Sequence, residues 1–173
     1  MSIAPRHLVL VSVLALIAGC GDGGGLSPED VTGIPPGDAV GTAATGGYAL
    51  EIYTAACHGA CFVRNGELTG SACDVGATET ASLDVVQQDG AVRMLVDGLV
   101  YDRLDGGIDA DRSFTIGGYV TARAGAIEAL MLASGTLTDT GFVGSATQRA
   151  RGSSDGVDFD CTSDYELTGR RFR

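Results

Sequence analysis

Apolar and polar residues alternate along the C-terminal part of the chain, most clearly from Val157 to Leu167. Because successive side chains of a β-strand point to opposite faces, this pattern predicts a strand with one face in a core and the other in water. A slip of one residue would bury the carboxylates, so the facing of this strand is strongly specified. The apolar set is Val157, Phe159, Cys161, Tyr165 and Leu167, and the acidic set is Asp158, Asp160, Asp164 and Glu166.

Seven further stretches follow the same rule less cleanly, and Asp-Gly and other glycine-rich turn signals separate them. We predict strands at Tyr48–Thr54, Ser82–Gln88, Ala91–Val96, Leu99–Leu104, Ser113–Ala122, Ile127–Leu137 and Phe142–Ala150. The mostly apolar run from Ile127 to Ala133 fits either a buried strand or a short helix, and the flanking Gly125 and Gly135 favour the strand.

Eight short strands joined by tight turns predict an all-β domain, a single antiparallel up-and-down barrel, with a β-sandwich as the alternative. A barrel of this size either fills with side chains or holds one small ligand. An internal void above about 300 Å³ would favour a ligand. For the candidate lining, plain core packing is the alternative. These residues are Leu50, Ile52, Val85, Met94, Phe114, Ile116 and Phe159.

The spacing of strands and turns resembles that of lipocalin-like small barrels. That resemblance implies a barrel whose interior binds a small apolar molecule. Glycines at strand positions would leave room for such a ligand, although bulges and corners use glycine equally. They are Gly117, Gly118 and Gly144.

The N-terminus carries one arginine, Arg6, followed by an eleven-residue apolar run from Leu8 to Ala18. This layout predicts a secretory signal in residues 1–19, since the run is too short to span a bilayer. The segment ends in Ile17-Ala18-Gly19-Cys20, which resembles the lipobox of bacterial lipoproteins. The resemblance implies that Cys20 is lipidated, for example with palmitate, and becomes the first residue of the mature chain.

Residues 20–46 contain few large apolar side chains, so we predict a flexible tether after the lipidated cysteine. As a coil it would span about 25–30 Å. Gly21 follows Cys20, whereas the lipoprotein family marks inner-membrane retention with Asp at that position. We therefore expect an anchor in the outer membrane of a bacterial cell envelope, with residues 47–173 forming the barrel domain.

The formal net charge of the chain is −11, and every basic side chain is an arginine. This acidity argues against binding to nucleic acid or to anionic lipid headgroups. The one cationic cluster, Arg170, Arg171 and Arg173, fits a solvated tail. We expect a monomer whose partner is an envelope protein or a small apolar ligand.

Four cysteines follow Cys20, an even number that in an exported domain predicts two disulfides. If the first and last strands pair with Tyr48 opposite Arg170, then Cys57 lies opposite Cys161. This register favours the pairs Cys57–Cys161 and Cys61–Cys73. The pairs Cys57–Cys61 and Cys73–Cys161 stay open as an alternative.

Three groups of residues could suggest haem attachment, a zinc site or a calcium site. Cys57-His58-Gly59-Ala60-Cys61 has the wrong order and gap for c-type haem attachment. Zinc could use Cys57, His58, Cys61 and Cys73, but the oxidising compartment favours disulfides. The acids Asp105, Asp109 and Asp111 do not meet EF-hand spacing and predict a turn. We expect no metal.

No catalytic constellation emerges, because His58 is the one histidine after the signal segment and lies among cysteines. We expect no enzyme activity, no catalytic residue and no cofactor. Two functions remain. The first is a non-catalytic structural or interaction module displayed on the envelope, with loop residues such as His58 to Val75 making the contacts. The second is a binding barrel for a small apolar ligand.

Overall fold

A computed structural model of the chain describes residues 25–65, 68–97, 101–122 and 125–172. The predicted signal in residues 1–19 and the predicted lipidation site at Cys20 lie outside these ranges, as does Leu99, the first residue of one predicted strand. Among the described residues, no helix is both long enough and apolar enough to cross a membrane.

Eight antiparallel strands form a closed barrel, in the order β1-β10-β9-β8-β7-β6-β5-β4. The predicted up-and-down barrel is therefore confirmed, and the sandwich alternative is wrong. The barrel strands are β1 (Gly46–Ala60), β4 (Thr78–Gln88), β5 (Ala91–Asp97), β6 (Arg103–Ile108), β7 (Ser113–Ala122), β8 (Ile127–Leu137), β9 (Gly141–Ser154) and β10 (Val157–Arg171). A separate hairpin of β2 (Phe62–Asn65) and β3 (Leu68–Ser71), absent from the prediction, is inserted between β1 and β4.

Alternation of apolar and polar side chains produces the core as predicted. Along β5 every second residue is buried, and the same pattern recurs in β1 and β4. The run that begins at Ile127 is a strand, which rules out the helix alternative there. The barrel has two ends. Residues 25–45 contact the end where β1 begins and β10 finishes, and we call it the strap end. The end beside the β2–β3 hairpin is the hairpin end.

The pairing of β1 with β10 differs from the predicted register. Tyr48 lies opposite Arg171, one residue beyond the predicted partner Arg170. A register shift between Thr54 and Ala56 adds one further residue. Such a β-bulge places two residues of one strand against one of the other. The two offsets together leave Gly59, and not Cys57, opposite Cys161.

The cysteine pairing consequently differs from both predicted sets. The disulfides join Cys57 to Cys73 and Cys61 to Cys161, with Cα–Cα distances of 5.9 and 4.5 Å. The predicted pairs Cys57–Cys161 and Cys61–Cys73 are wrong because the one-residue offset at Tyr48 and the bulge together place Cys161 opposite Gly59. The alternative with Cys57–Cys61 and Cys73–Cys161 is wrong as well. Cys61, Cys73 and Cys161 form one buried cluster at the hairpin end, and the partly buried Cys57 packs against it.

Residues 25–45, which we call the strap, pack against the barrel, whereas the sequence predicted a flexible tether from 20 to 46. The strap contains the short helix α1 (Pro28–Val31), which contacts β7 and β8, and Val31 is buried. It then crosses β6 to the strap end, where the Gly37 N–H donates to the Gly90 carbonyl over 2.9 Å and the Ala39 N–H donates to the Ile108 carbonyl over 3.1 Å.

Glycines on the outer face of the barrel make this packing possible. A Cβ atom at Gly117 would lie 2.8 Å from the Val31 Cα, and one at Gly107 would lie 2.7 Å from the Gly37 nitrogen. The strap backbone therefore occupies the space that side chains would otherwise fill. Few large apolar residues are needed for such packing, which is why composition alone predicted a tether.

Candidate ligand cavity

An apolar cavity of about 190 Å³ lies inside the barrel. It extends from the middle of the core to residues 72–79 at the hairpin end, where Asp74 and Glu79 are exposed. Its volume is below the roughly 300–1,000 Å³ of typical ligand sites. Its apolar wall comprises Leu50, Ile52, Leu83, Met94, Val96, Leu104, Phe114, Ile116, Met131, Ala133, Phe142 and Leu167.

Five of the seven predicted lining residues lie on this wall. They are Leu50, Ile52, Met94, Phe114 and Ile116. Val85 and Phe159 do not: Val85 packs in the core nearer the strap end, and Phe159 is buried on β10 opposite Gly152. The strand glycines do not open the cavity, since a Cβ atom at Gly118 would overlap Leu104 and one at Gly144 would overlap the Ser134 carbonyl.

Aromatic packing closes the cavity toward the strap end. The ring of Phe142 contacts Phe114 at a centroid distance of 5.6 Å and Tyr48 at 5.7 Å. The Tyr48 hydroxyl donates to the Ala44 carbonyl over 2.7 Å, and the Ala44 N–H donates to Gln87 Oε1 over 2.7 Å. The strap residue Ala44 thus satisfies the Tyr48 hydroxyl and Gln87 Oε1 by hydrogen bonds. These polar groups are therefore paired at the strap end, and this end of the cavity is apolar.

Polar side chains line the opposite part of the cavity, near the hairpin end. Thr54, Gln148, Tyr165 and Tyr101 line this part together with Glu79. The Tyr165 hydroxyl donates to Gln148 Oε1 over 2.9 Å. Burial raises the pKa of Tyr165, so its hydroxyl stays protonated and able to donate.

Tyr101 carries the least satisfied of these polar groups. The residue is 3 % exposed, and its hydroxyl has no hydrogen-bond partner within the described ranges 25–65, 68–97, 101–122 and 125–172. Burial, with a smaller contribution from nearby Tyr165, raises the pKa of Tyr101 far above its usual value, and the neighbouring Gln148 side chain opposes this rise without reaching hydrogen-bond geometry. A neutral hydroxyl that is desolvated and unpaired costs free energy until an acceptor reaches it.

A loop tied down by a disulfide borders the polar end of the cavity. Cys73 lines the cavity and is bonded to Cys57 of β1. The Gly76 N–H donates to the Thr54 carbonyl, and the Thr54 N–H donates to the Ala77 carbonyl, each over 2.9 Å. Residues 72–77 are therefore fixed to β1 both covalently and by hydrogen bonds. Asp74 and Glu79 are the charged residues of the lining, and both are acidic.

The sequence contains a signal for part of this polar group that the candidate lining does not include. Gln148 occupies an inward position of β9 between Ala146 and Ala150, where the alternation calls for an apolar residue. Tyr165 was placed in the inner row, but a tyrosine there also fits ordinary core packing. Tyr101 falls within the predicted strand Leu99–Leu104, but its alternation does not mark Tyr101 as a lining residue, and β6 begins at Arg103.

The other candidate sites resolve into structural roles. His58 is exposed, and its Nε2 lies 3.1 Å from Asp164 Oδ2 on the outer surface. Asp111 Oδ1 accepts from the Ser113 N–H over 2.9 Å, and Asp109 Oδ1 accepts from the Asp38 N–H of the strap over 3.2 Å. In the part of the chain that the structure describes, no group of three or more His, Cys, Asp or Glu residues could hold a metal ion.

Residues 152–156 match the Gly-x-Ser-x-Gly pattern of hydrolases, with the sequence Gly152-Ser153-Ser154-Asp155-Gly156. That motif acts at a turn from a strand into a helix. Here it spans the end of β9 and a turn that leads directly into β10, and Ser154 is buried. These residues thus lack the strand-turn-helix context on which a nucleophile elbow depends.

Comparison of the chain with protein-family models and with curated proteins gave no match.

Proposed function

We propose that this protein is a lipid-anchored protein of the bacterial cell envelope whose barrel binds a small, mostly apolar molecule. The observation that carries the proposal is the apolar cavity of about 190 Å³ with an unpaired, buried Tyr101 hydroxyl at its polar end. A well-packed core contains few voids larger than a water molecule. The volume falls short of the void of about 300 Å³ expected for a typical ligand site. It suits a compact ligand, since an apolar cavity of about 150 Å³ in another protein takes up benzene.

Cavity filling tests this proposal. Ala133 is buried and lines the cavity, whereas Ala49 is exposed on β1. The full chain and its Ala133→Leu and Ala49→Leu variants would be produced in a bacterial envelope, extracted from membranes and measured by native mass spectrometry. We expect a small-molecule adduct on the parent and on Ala49→Leu, and its loss from a folded Ala133→Leu. A bare parent protein would contradict ligand binding.

The lipid anchor is proposed from the lipobox-like sequence that ends at Cys20. Gly25 lies against the Arg149 side chain of the barrel, so residues 20–24 separate the predicted anchor from a point of contact with the barrel surface. Five residues reach at most about 18 Å when fully extended. The anchor would thus hold the barrel close to the membrane, beside Arg149, whose Nη1 donates to the Leu26 carbonyl over 3.3 Å.

Metabolic labelling with a palmitate analogue tests the anchor. The parent chain should carry the label and sediment with outer membranes, and Cys20→Ala should abolish both. Label that persists on Cys20→Ala would contradict lipidation at this cysteine. Label with inner-membrane sedimentation would support lipidation and contradict only the proposed membrane.

An interaction module is the second candidate, favoured by exposed apolar side chains at the hairpin end. Phe62 is 69 % exposed and Val75 is 59 % exposed. Crosslinking in intact envelopes, with the parent compared with Phe62→Ser, tests this function. A protein crosslink that depends on Phe62, together with a parent free of adduct, would favour the interaction module over the binding barrel.

A further inference from the structure

The geometry of the cavity also points to the class of ligand, an inference that rests on the proposed binding function. We infer that the ligand is a neutral molecule with a compact apolar body and one hydrogen-bond acceptor, and that the Tyr101 hydroxyl is the donor that binds this acceptor.

The first step is the division of the cavity into two parts. The deep part ends on Phe114 and Phe142 and offers a ligand only apolar contacts. The part near the hairpin end presents Thr54, Tyr101 and Gln148. A ligand that is apolar at one end and polar at the other therefore has one favourable orientation, with its polar group toward the hairpin end.

Within the described part of the chain, the group that lacks a hydrogen bond at the polar end is a donor, the Tyr101 hydroxyl. The Tyr101 hydroxyl meets no acceptor at hydrogen-bond geometry among the described residues, although the Gln148 side chain, whose Oε1 accepts from Tyr165, lies close enough to lower the pKa of Tyr101. An O–H group without a partner needs an acceptor, such as a carbonyl, ether or hydroxyl oxygen. A pure hydrocarbon would leave the Tyr101 hydroxyl unsatisfied and should bind less tightly than an isostere with a carbonyl.

The charges of the lining side chains disfavour an anionic ligand. Among the described residues that line the cavity, Asp74 and Glu79 are the charged ones, and both would repel an anion. No arginine of the described ranges lines the cavity, so a carboxylate head would find no cationic partner among them. Burial of an unpaired anion is costly. The polar group of the ligand should therefore be uncharged, which excludes fatty acids and favours ketones, aldehydes, esters or alcohols.

The size of the cavity sets the length of the apolar body. About 190 Å³ is somewhat larger than the cavity of about 150 Å³ that admits benzene. A single six-membered ring with a short substituent fits this volume, whereas a long acyl chain does not. Three probes of matched size follow from these steps: acetophenone, isopropenylbenzene, which carries a methylene in place of the carbonyl oxygen, and benzoate.

Binding of these probes to the detergent-solubilised full chain would be titrated by ligand-observed NMR, with Ala133→Leu measuring the background from detergent. We expect acetophenone to bind tightest and benzoate not to bind. Tyr101→Phe should weaken acetophenone about three- to tenfold, the value of one hydrogen bond, and leave isopropenylbenzene unchanged. Tyr119→Phe is the matched control, because the Tyr119 hydroxyl is on the outer surface and donates to Glu128 Oε1 over 3.3 Å.

A second readout needs no ligand. Removal of an unsatisfied buried donor should raise the melting temperature of Tyr101→Phe above that of the parent, whereas Tyr119→Phe should not raise it. Equal affinity of the parent for acetophenone and isopropenylbenzene would overturn the role of Tyr101 and leave the binding function standing. Failure of the parent to bind either neutral probe above the Ala133→Leu background would overturn both.

Discussion

The two ends of the barrel are closed by different kinds of contact. At the strap end, main-chain atoms of residues 25–45 lie against strand glycines and are held by hydrogen bonds such as that from the Gly37 N–H to the Gly90 carbonyl. At the hairpin end, two disulfides tie the loop before β4 and the β2–β3 hairpin to β1 and β10. The strap end is therefore closed by close approach of backbone, and the hairpin end by covalent bonds.

The two ends also differ in their distance from the polar part of the cavity. The strap end adjoins a packed aromatic layer in which Tyr48 and Phe142 are almost fully buried. The hairpin end adjoins the polar part of the cavity, and the loop of residues 72–77 there is mostly exposed. An exposed loop cannot gain its position from apolar burial, so crosslinks hold it in place.

The largest effect should come from breaking the longer crosslink. The Cys61–Cys161 disulfide closes a sequence separation of 100 residues, and Cys57–Cys73 one of 16. Loop-closure entropy gives losses of about 4–5 and about 3 kcal/mol in the free energy of unfolding, respectively. Urea denaturation of the double variants Cys61→Ser/Cys161→Ser and Cys57→Ser/Cys73→Ser measures both.

The two variants should also differ in function. Loss of Cys57–Cys73 frees the loop beside the cavity, so probe exchange should become faster even where the barrel remains folded. A larger stability loss in Cys57→Ser/Cys73→Ser than in Cys61→Ser/Cys161→Ser would show that chain entropy does not govern this end of the barrel.

The next effect concerns the strap end. Ala in place of Gly107 would push a Cβ atom into the Pro35 carbonyl oxygen and to 2.7 Å from the Gly37 nitrogen. We expect Gly107→Ala to lose about 1–3 kcal/mol, typical of overpacking, and to make the strap more sensitive to proteolysis. Gly70→Ala is the control, since no heavy atom lies within 4 Å of the added Cβ. Equal proteolysis of the two variants would argue that the strap is not held by this contact.

The same contrast explains how much of the structure could be predicted. The barrel strands follow from alternation within single segments, and the predicted strands Ser113–Ala122 and Ile127–Leu137 match β7 and β8 at both ends. The strap could not be predicted in this way, because its contacts join a segment poor in large apolar residues to glycines about 50 to 90 positions further along the chain.

The disulfides and the polar part of the cavity show a second limit. The β1–β10 register starts one residue beyond the predicted one, and one extra residue between Thr54 and Ala56 adds a second offset, so Cys57 is out of line with Cys161. Nothing in the local sequence marks this bulge. Five apolar lining residues could be predicted because they occupy the inward-facing positions of their strands. Tyr101 could not, because the predicted strand Leu99–Leu104 that contains it is displaced: β6 spans Arg103–Ile108, and Tyr101 precedes it.

The smallest effect should come from the ion pair that supports the start of the strap. Arg149 Nη2 lies 2.6 Å from Asp160 Oδ2, and Arg149 also donates to the Leu26 carbonyl. The hydrogen bond from Arg149 holds the pKa of Asp160 below its usual range. Because the Asp160 side chain is 51 % exposed, solvent screens the pair, and we expect Asp160→Asn to cost only about 0.5 kcal/mol at pH 7.

The pH dependence of this cost has a definite sign. A carboxyl whose pKa is lower in the folded state stabilises the protein above its unfolded pKa of about 4, and this stabilisation is lost as the pH falls through the folded pKa. The difference in urea midpoint between the parent and Asp160→Asn should therefore be constant from pH 7 to about pH 5 and shrink at lower pH. Asp158→Asn removes an equal charge from the same strand, and Asp158 forms no ion pair among the described residues. A cost that is as large for Asp158→Asn as for Asp160→Asn would assign the effect to net charge and not to the arginine that supports the strap.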